Sequence, residues 1–306
     1  MNTKEWALII FTVLAQMSVG SFVVLGFIHF FTRRSAGTEA ADRMSDRALL
    51  AIGPVLILAM IASLFHLGNP LFAPRAITNL ANSWLSREIL FGVLFAVTGG
   101  VFAIMQWRKI SSFAVRNVIA LVAAAIGLAL VGSMAMVYML RSQPAWNSLA
   151  TPISFFVTTF LLGLFAVAAA FMANYGYLKN KDADCAEENC VLVRRALCWI
   201  TSTSLVLLGV TLLVIPLYIT SLGAGTGASL ESVRLLSGEH IWLFGLRIAL
   251  VFLGAGVLGF YLYQNAATPG HEKLMRALAY SAFALVFVAE VVGRFLFYAS
   301  HVRIGV

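Results

Sequence analysis

A small set of side chains in this 306-residue chain has the chemistry of a proton-handling site. His66 closes an apolar run within Phe65-His66-Leu67-Gly68-Asn69-Pro70, and Glu88 opens the next run directly after Arg87. Glu290, Gly293 and Arg294 lie near the end of the last run, followed by Tyr298 and His301. Arg247 sits about two turns past His240, and Tyr138 and Arg141 precede Trp146. Histidine titrates near neutrality, so an imidazole beside a carboxylate can take and pass on protons. His66 stands at a helix end, where Gly68 and Pro70 stop the helix and leave backbone carbonyls open. A histidine at such a rim is often only interfacial, but its placement beside Glu88 favours a functional reading.

The elements that must carry these residues are membrane helices. Of the residues 61% are apolar and 11% charged, and the mean hydropathy is +0.92. Soluble domains average about 45–50% apolar and about 25% charged. Disordered chains, nucleic-acid-binding domains and ordinary soluble enzymes are therefore excluded. The net charge of +8 comes from short loops between apolar runs and does not indicate a nucleic-acid partner. Spanning a hydrocarbon core takes about 20 apolar residues of helix, and eight runs qualify, at about 6–31, 48–67, 88–107, 114–140, 151–175, 196–221, 240–264 and 277–299. They are continuous rather than alternating, which argues against a β-barrel. The expected fold is all-α: one integral-membrane domain over 1–306, a bundle of eight transmembrane helices. The first run reads as a span and not as a cleaved signal peptide, being too long and lacking a small-residue cleavage site.

Lys and Arg in the loops orient the bundle. Thirteen fall in the loops after spans 1, 3, 5 and 7, against six on the other side. Both termini are then expected outside, in the periplasm of a bacterial inner membrane. With that topology, nearly all in-span ionisable residues fall in the outer half. Segments 68–87 and 222–239 are the long outer connections, able to cap a site or dock a partner, and 176–195 reads as a solvated inner tether. Ionisable side chains within spans are costly and default to functional candidates. Glu290 and Arg294, spaced i,i+4, share one helix face. They read equally as a structural ion pair and as part of a polar pocket.

Other patterns fail their context tests. No histidine lies mid-span, so paired haem ligation is not expected. Cys185, Cys190 and Cys198 give no disulfide framework and no set of four metal ligands, and read as free thiols. Gly254-Ala255-Gly256-Val257-Leu258-Gly259 matches G-x-G-x-x-G but lies inside span 7 with no preceding strand, so a helix-packing seam explains it better.

The stretch His66-Leu67-Gly68-Asn69-Pro70 followed by Ser83-Trp84-Leu85-Ser86-Arg87-Glu88-Ile89 resembles the DmsC-type membrane-anchor subunits of anaerobic dimethyl sulfoxide reductases. So do Glu5-Trp6 through Gln16 and Gly20, Tyr138 with Trp146, Thr151-Pro152 and Phe155-Phe156, and the closing Glu290, Gly293-Arg294, Phe297-Tyr298 and His301. The resemblance runs over nearly the whole chain. It implies an anchor that binds and oxidises menaquinol near the periplasmic face, with no haem or metal of its own. The implied partners, besides membrane lipid, are a four-cluster iron–sulfur electron-transfer subunit and a molybdopterin catalytic subunit, working in anaerobic respiration on S-oxides or N-oxides. The family's essential histidine falls on His66 and its quinol-site glutamate on Glu88. Quinol oxidation needs an acceptor within hydrogen-bond reach of each hydroxyl. His66 is the expected primary acceptor and Glu88 the proton exit, with Gln16, Tyr138, Glu290 and Arg294 completing the quinol site. Gln16 fits a helix-packing amide equally well. Two other readings compete: an anchor of a polysulfide- or tetrathionate-type reductase, and a secondary transporter. The off-centre, unrepeated polar cluster argues against transport.

Overall fold

A computed structural model describes residues 3–66, 78–181, 183–225 and 227–304, with side chains described for 5–65, 78–179, 190–225 and 227–304. Helices are α1 Thr3–Ala36, α2 Thr38–His66, α3 Trp84–Arg108, α4 Phe113–Tyr138, α5 Ala150–Lys181 and α6 Ala183–Gly223. There follow a short α7 (Ala228–Arg234), α8 Ile241–Val251, α9 Gly259–Ala267 and α10 Glu272–Ala299. A π-helical turn over Phe252–Leu258 joins α8 to α9 into one rod. Counting that rod once, eight helices among the described residues are long and apolar enough to cross a membrane. This is the expected all-α polytopic bundle.

Local chemistry sets the helix ends. Ser83 caps α3, its hydroxyl accepting from the Ser86 amide at 3.2 Å, and Ser112 caps α4 through the Val115 amide at 3.4 Å. Gly37 at φ +86° is the single residue between α1 and α2. A left-handed residue there lets the chain reverse at once, which glycine does without a Cβ penalty.

The segment read as a tether is helical instead: α5 runs on to Lys181 and α6 begins at Ala183. Lys, Arg, Ala, Glu and Leu, strong helix formers, make up half of it, and no proline interrupts them. Hydropathy marks such a polar helical extension as loop. Segment 222–239 likewise forms α7 and a π turn over Leu235–Glu239 rather than open loop.

The central helices are α1 and α5, each with 72% of its most apolar stretch buried, against 11% for α3. Their backbones meet at Gly20 and Gly163: a Cβ on Gly20 would fall on the Thr159 carbonyl, and one on Gly163 on the Gly20 backbone. Small residues at a crossing allow this approach. The G-x-G-x-x-G stretch is also a seam. A Cβ on Gly254 would press on Leu285 and Val286 of α10, and one on Gly256 on Leu208 of α6. Cys190 and Cys198 are free thiols, and the side chain of Cys185 lies outside the described residues.

Candidate functional site

One set of buried polar residues converges at one end of the bundle. On α1, Gln16 is fully buried and donates its amide to the Phe155 carbonyl of α5 at 2.9 Å. Its Oε1 accepts from Arg294 Nη2 of α10 at 2.7 Å. The Arg294 guanidinium lies 3.8 Å above the Phe155 ring and 5.5 Å from that of Phe297. Charge-assisted bonding and ring stacking together replace the water this cation has lost.

Glu290, one turn earlier on α10, accepts from Thr158 of α5 at 2.6 Å. Among the described residues it makes no ion pair with Arg294. The i,i+4 pairing suggested by spacing is absent because each side chain reaches a different helix: Arg294 reaches α1 and Glu290 reaches α5. Both line a cavity of about 100 Å³ between α5, α6, α8 and α10, together with Thr158 and Arg247. The Arg247 guanidinium packs directly on the open face of Gly293, where a Cβ would overlap it. Two guanidinium groups and one carboxylate thus face one small cleft.

The other half of the cluster belongs to α3 and α4. Glu88, in the second turn of α3, is 7% exposed. Among the described residues its carboxylate has no hydrogen-bond donor, and at the same end of the bundle stand the Tyr138 and Tyr298 hydroxyls. Those hydroxyls bond each other at 2.7 Å, joining the end of α4 to the end of α10. Burying a carboxylate is costly unless something pairs with it.

An aromatic plug closes this end. Trp146 stacks on Phe297 at 5.3 Å and on His301 at 5.2 Å between centroids. Its indole N–H donates to the Phe297 carbonyl at 2.8 Å. Tyr138 sits edge-on to Trp146 and Phe297. Thr151 donates to the Trp146 carbonyl at 2.7 Å, fixing the turn before α5. Segments 138–156 and 290–301, far apart in sequence, therefore form one wall.

Gln16, Tyr138 and Arg294 thus meet through Phe155, Glu290 shares the small cavity with Arg294 but not with the others, and Glu88 lies at the same end of the bundle. His66 ends α2, and its side chain lies outside the described residues. Trp6 and Trp84 are 45% and 38% exposed, as rim aromatics are. Spacing gave no notice of Thr158, because a threonine in an apolar helix ordinarily bonds its own backbone. Arg247 carried a signal, an arginine inside a span, but nothing in the sequence tied it to Gly293.

Comparison with known proteins decides the family. The family model described as DMSO reductase anchor subunit (DmsC) matches residues 1–300. The chain belongs to the DMSO reductase anchor subunit family. It is 26% identical to the C subunit of the anaerobic dimethyl sulfoxide reductase of Escherichia coli K12, over 98% of this chain and 96% of that one. It is 28% identical to the anaerobic dimethyl sulfoxide reductase subunit YnfH of the same organism, with the same coverage. The corresponding C subunit of Haemophilus influenzae is 31% identical over 57% of this chain and 62% of its own length. As a member, this multi-pass chain is a membrane anchor of a DMSO reductase complex. Glu88, Gln16, Tyr138, Glu290 and Arg294 all fall within the matched span.

Proposed function

We propose that this anchor binds menaquinol at the polar end of the bundle, oxidises it, and passes its electrons to an iron–sulfur subunit. That subunit, carrying four clusters, would feed a molybdopterin subunit that reduces S-oxides or N-oxides in anaerobic respiration. The end bearing Glu88 would face the periplasm of a bacterial inner membrane. The observation that carries this reading is Glu88: a buried carboxylate with no donor among the described residues, at the same end of the bundle as the Tyr138–Tyr298 hydroxyl pair. A quinol hydroxyl is a donor of the kind such a carboxylate lacks.

Oxidation of the quinol gives the quinone, two protons and two electrons. His66, at the end of α2, is the proposed acceptor for one hydroxyl, and Glu88 takes a proton toward the outer water. Gln16 is already committed on both sides, to Arg294 and to the Phe155 carbonyl, so its role is to fix Arg294. Tyr138 sets the wall facing the ring. Glu290 and Arg294 give the pocket its charge from the α10 side. Release on the face where the partner subunits dock makes the reaction electroneutral across the membrane.

The test uses the whole complex, purified through a tag on this chain from cells expressing the neighbouring genes. Iron and molybdenum should co-purify, and a preparation holding neither would overturn the anchor assignment. In the same complex His66→Ala should abolish quinol-dependent reduction while a soluble artificial donor still drives it. Normal quinol turnover in a fully assembled variant would remove His66 from the site.

A further inference from the structure

The opposite end of the bundle holds a second built chamber. Glu88 and Gln106 lie eighteen residues apart on α3, roughly 27 Å of helix, so this chamber and the proposed quinol site are at opposite ends. It is an apolar cavity of about 510 Å³ between α1, α2, α3 and α4, walled by rings that include Phe22, Phe27, Phe102 and Phe113. It meets a polar basin of about 630 Å³, and Asp46 and Arg116 line both. From Arg116 to Ala124 the wall follows α4 inward for eight residues, roughly 12 Å.

Among the described residues, the junction contains polar groups without partners. Arg116 is 7% exposed, its Nε finds no acceptor, and its Nη1 makes only a long 3.4 Å bond to the Ser111 carbonyl. Ser45, on the apolar chamber's wall and 4% exposed, has an unpartnered hydroxyl. Leaving such groups dry and unpaired is costly, and for a cation more so. The carboxylates beside them are already taken. Asp42 and Asp46 each accept from Lys109 Nζ at 2.7 Å, both also accept from Gln106, and Asp42 pairs with His29 at 2.9 Å. The basin's charged lining is Arg43, Arg47, Lys109 and Arg116 against Glu39, Asp42 and Asp46, an excess of one positive charge.

We propose that this double chamber binds one anionic phospholipid, its phosphate against Arg116 and the upper part of an acyl chain in the ring-lined cavity. A phosphodiester supplies the acceptor that Nε lacks and one negative charge to match the excess. Basic pockets between transmembrane helices suit such headgroups. A quinone would fill the apolar chamber but leave the basin's charge uncompensated. The charged residues stand at the ends of α2, α3 and α4, the depth at which a headgroup sits.

The test is native mass spectrometry of the detergent-purified complex after a delipidating wash, with phosphatidylglycerol and phosphatidylcholine added back separately. The wild type should retain or rebind one phosphatidylglycerol in clear preference to phosphatidylcholine. Arg116→Gln should reduce that occupancy at least fivefold. Arg116→Lys, which keeps the charge but lacks the Nε donor, should fall between them. Quinol-dependent turnover should be unchanged in both variants, which also certifies their folding. Equal phosphatidylglycerol occupancy in wild type and Arg116→Gln would overturn the proposal. So would displacement of the bound lipid by inorganic phosphate alone, or a retained quinone whose loss follows Arg116→Gln. Loss of quinol turnover in all forms would count against the quinol site and leave the lipid readout intact.

Discussion

Arg294 and Gln16, 278 positions apart, are held together by a 2.7 Å hydrogen bond in the dry interior. It ties the last long helix to the first, and Gln16 in turn holds the Phe155 carbonyl of α5. Gln16→Leu would strand a buried guanidinium. A hydrogen bond to a charged group is worth about 1.5–3 kcal/mol, and the variant should lose stability of that order in a reversible detergent-unfolding titration. Combined with Arg294→Gln, the double variant should lose less than the sum of the two singles. Strict additivity would mean that the bond contributes nothing.

The Thr158–Glu290 bond makes a separable prediction. Thr158→Val keeps the side-chain shape but removes the only donor to Glu290 among the described residues, leaving the carboxylate facing the small cavity with Arg247 and Arg294. About 1–3 kcal/mol of stability should go with it, and Thr158→Ser should restore most of the loss. If valine and serine unfold alike, the hydroxyl is not what holds Glu290.

How far these arrangements can be read from sequence depends on the kind of signal. The eight spans are legible because a 20-residue apolar run has almost no other use. Gln16, Glu88, Glu290 and Arg294 stand out because polar groups inside apolar runs are costly. Their pairings are not legible. Spacing places Glu290 and Arg294 on one face and invites a bond between them, yet a helix face does not reveal which neighbour it meets. Arg294 turns to α1 and Glu290 to α5 because those helices supply Gln16 and Thr158 at the right depth. The segment around 176–195 misleads for a different reason: hydropathy measures preference for an apolar environment, and a polar helix scores like a loop. The Arg116 chamber gave no sign in sequence, because an arginine at a span's edge looks like any topology signal.

The α1–α5 crossing should tolerate no side chain. Gly163 meets the Gly20 backbone, not a flexible side-chain tip that could swing aside. Overpacking a tight core costs typically about 1–3 kcal/mol for a few extra methylenes, and here backbone must separate from backbone. Gly163→Leu should leave little folded protein in a fluorescence-detected size-exclusion assay, and Gly163→Ala a reduced yield. At Gly132 a Cβ would meet only a ring atom of Phe156 at 4.0 Å, so Gly132→Ala should purify normally. If all three behaved alike, the close approach would not be limiting.

Tyr138→Phe removes one partner of the 2.7 Å hydroxyl pair and leaves Tyr298, 6% exposed, with one fewer bond. The ring contacts with Trp146, Phe155 and Phe297 stay, so the plug should survive at a cost of about 1 kcal/mol. On the proposed reading the hydroxyl faces the quinol, so the Michaelis constant for quinol should rise while turnover with an artificial donor stays the same. A fall in artificial-donor turnover as well would place the defect in assembly rather than in the site.

Glu88 gives the sharpest test of the proton route. As an acceptor its carboxylate must be ionised, so wild-type quinol oxidation should fall on the acid side as protonation removes the acceptor. Glutamine keeps the size and the burial, and its carbonyl can still accept a hydrogen bond, but it cannot carry a proton away. Glu88→Gln should therefore lower the maximal rate of quinol oxidation by about a hundred- to a thousandfold, the lower range of what a positioned acid–base group supplies. The limb of the pH profile that belongs to this carboxylate should vanish with it. Glu88→Asp, which retracts the carboxylate by one methylene, should lower the rate but keep the limb. The measurement is the pH dependence of quinol-driven reduction against the same complex driven by an artificial donor, whose profile should not change. A glutamine variant that kept the wild-type acid limb would assign the titration to another group and end the case for Glu88 as the proton exit.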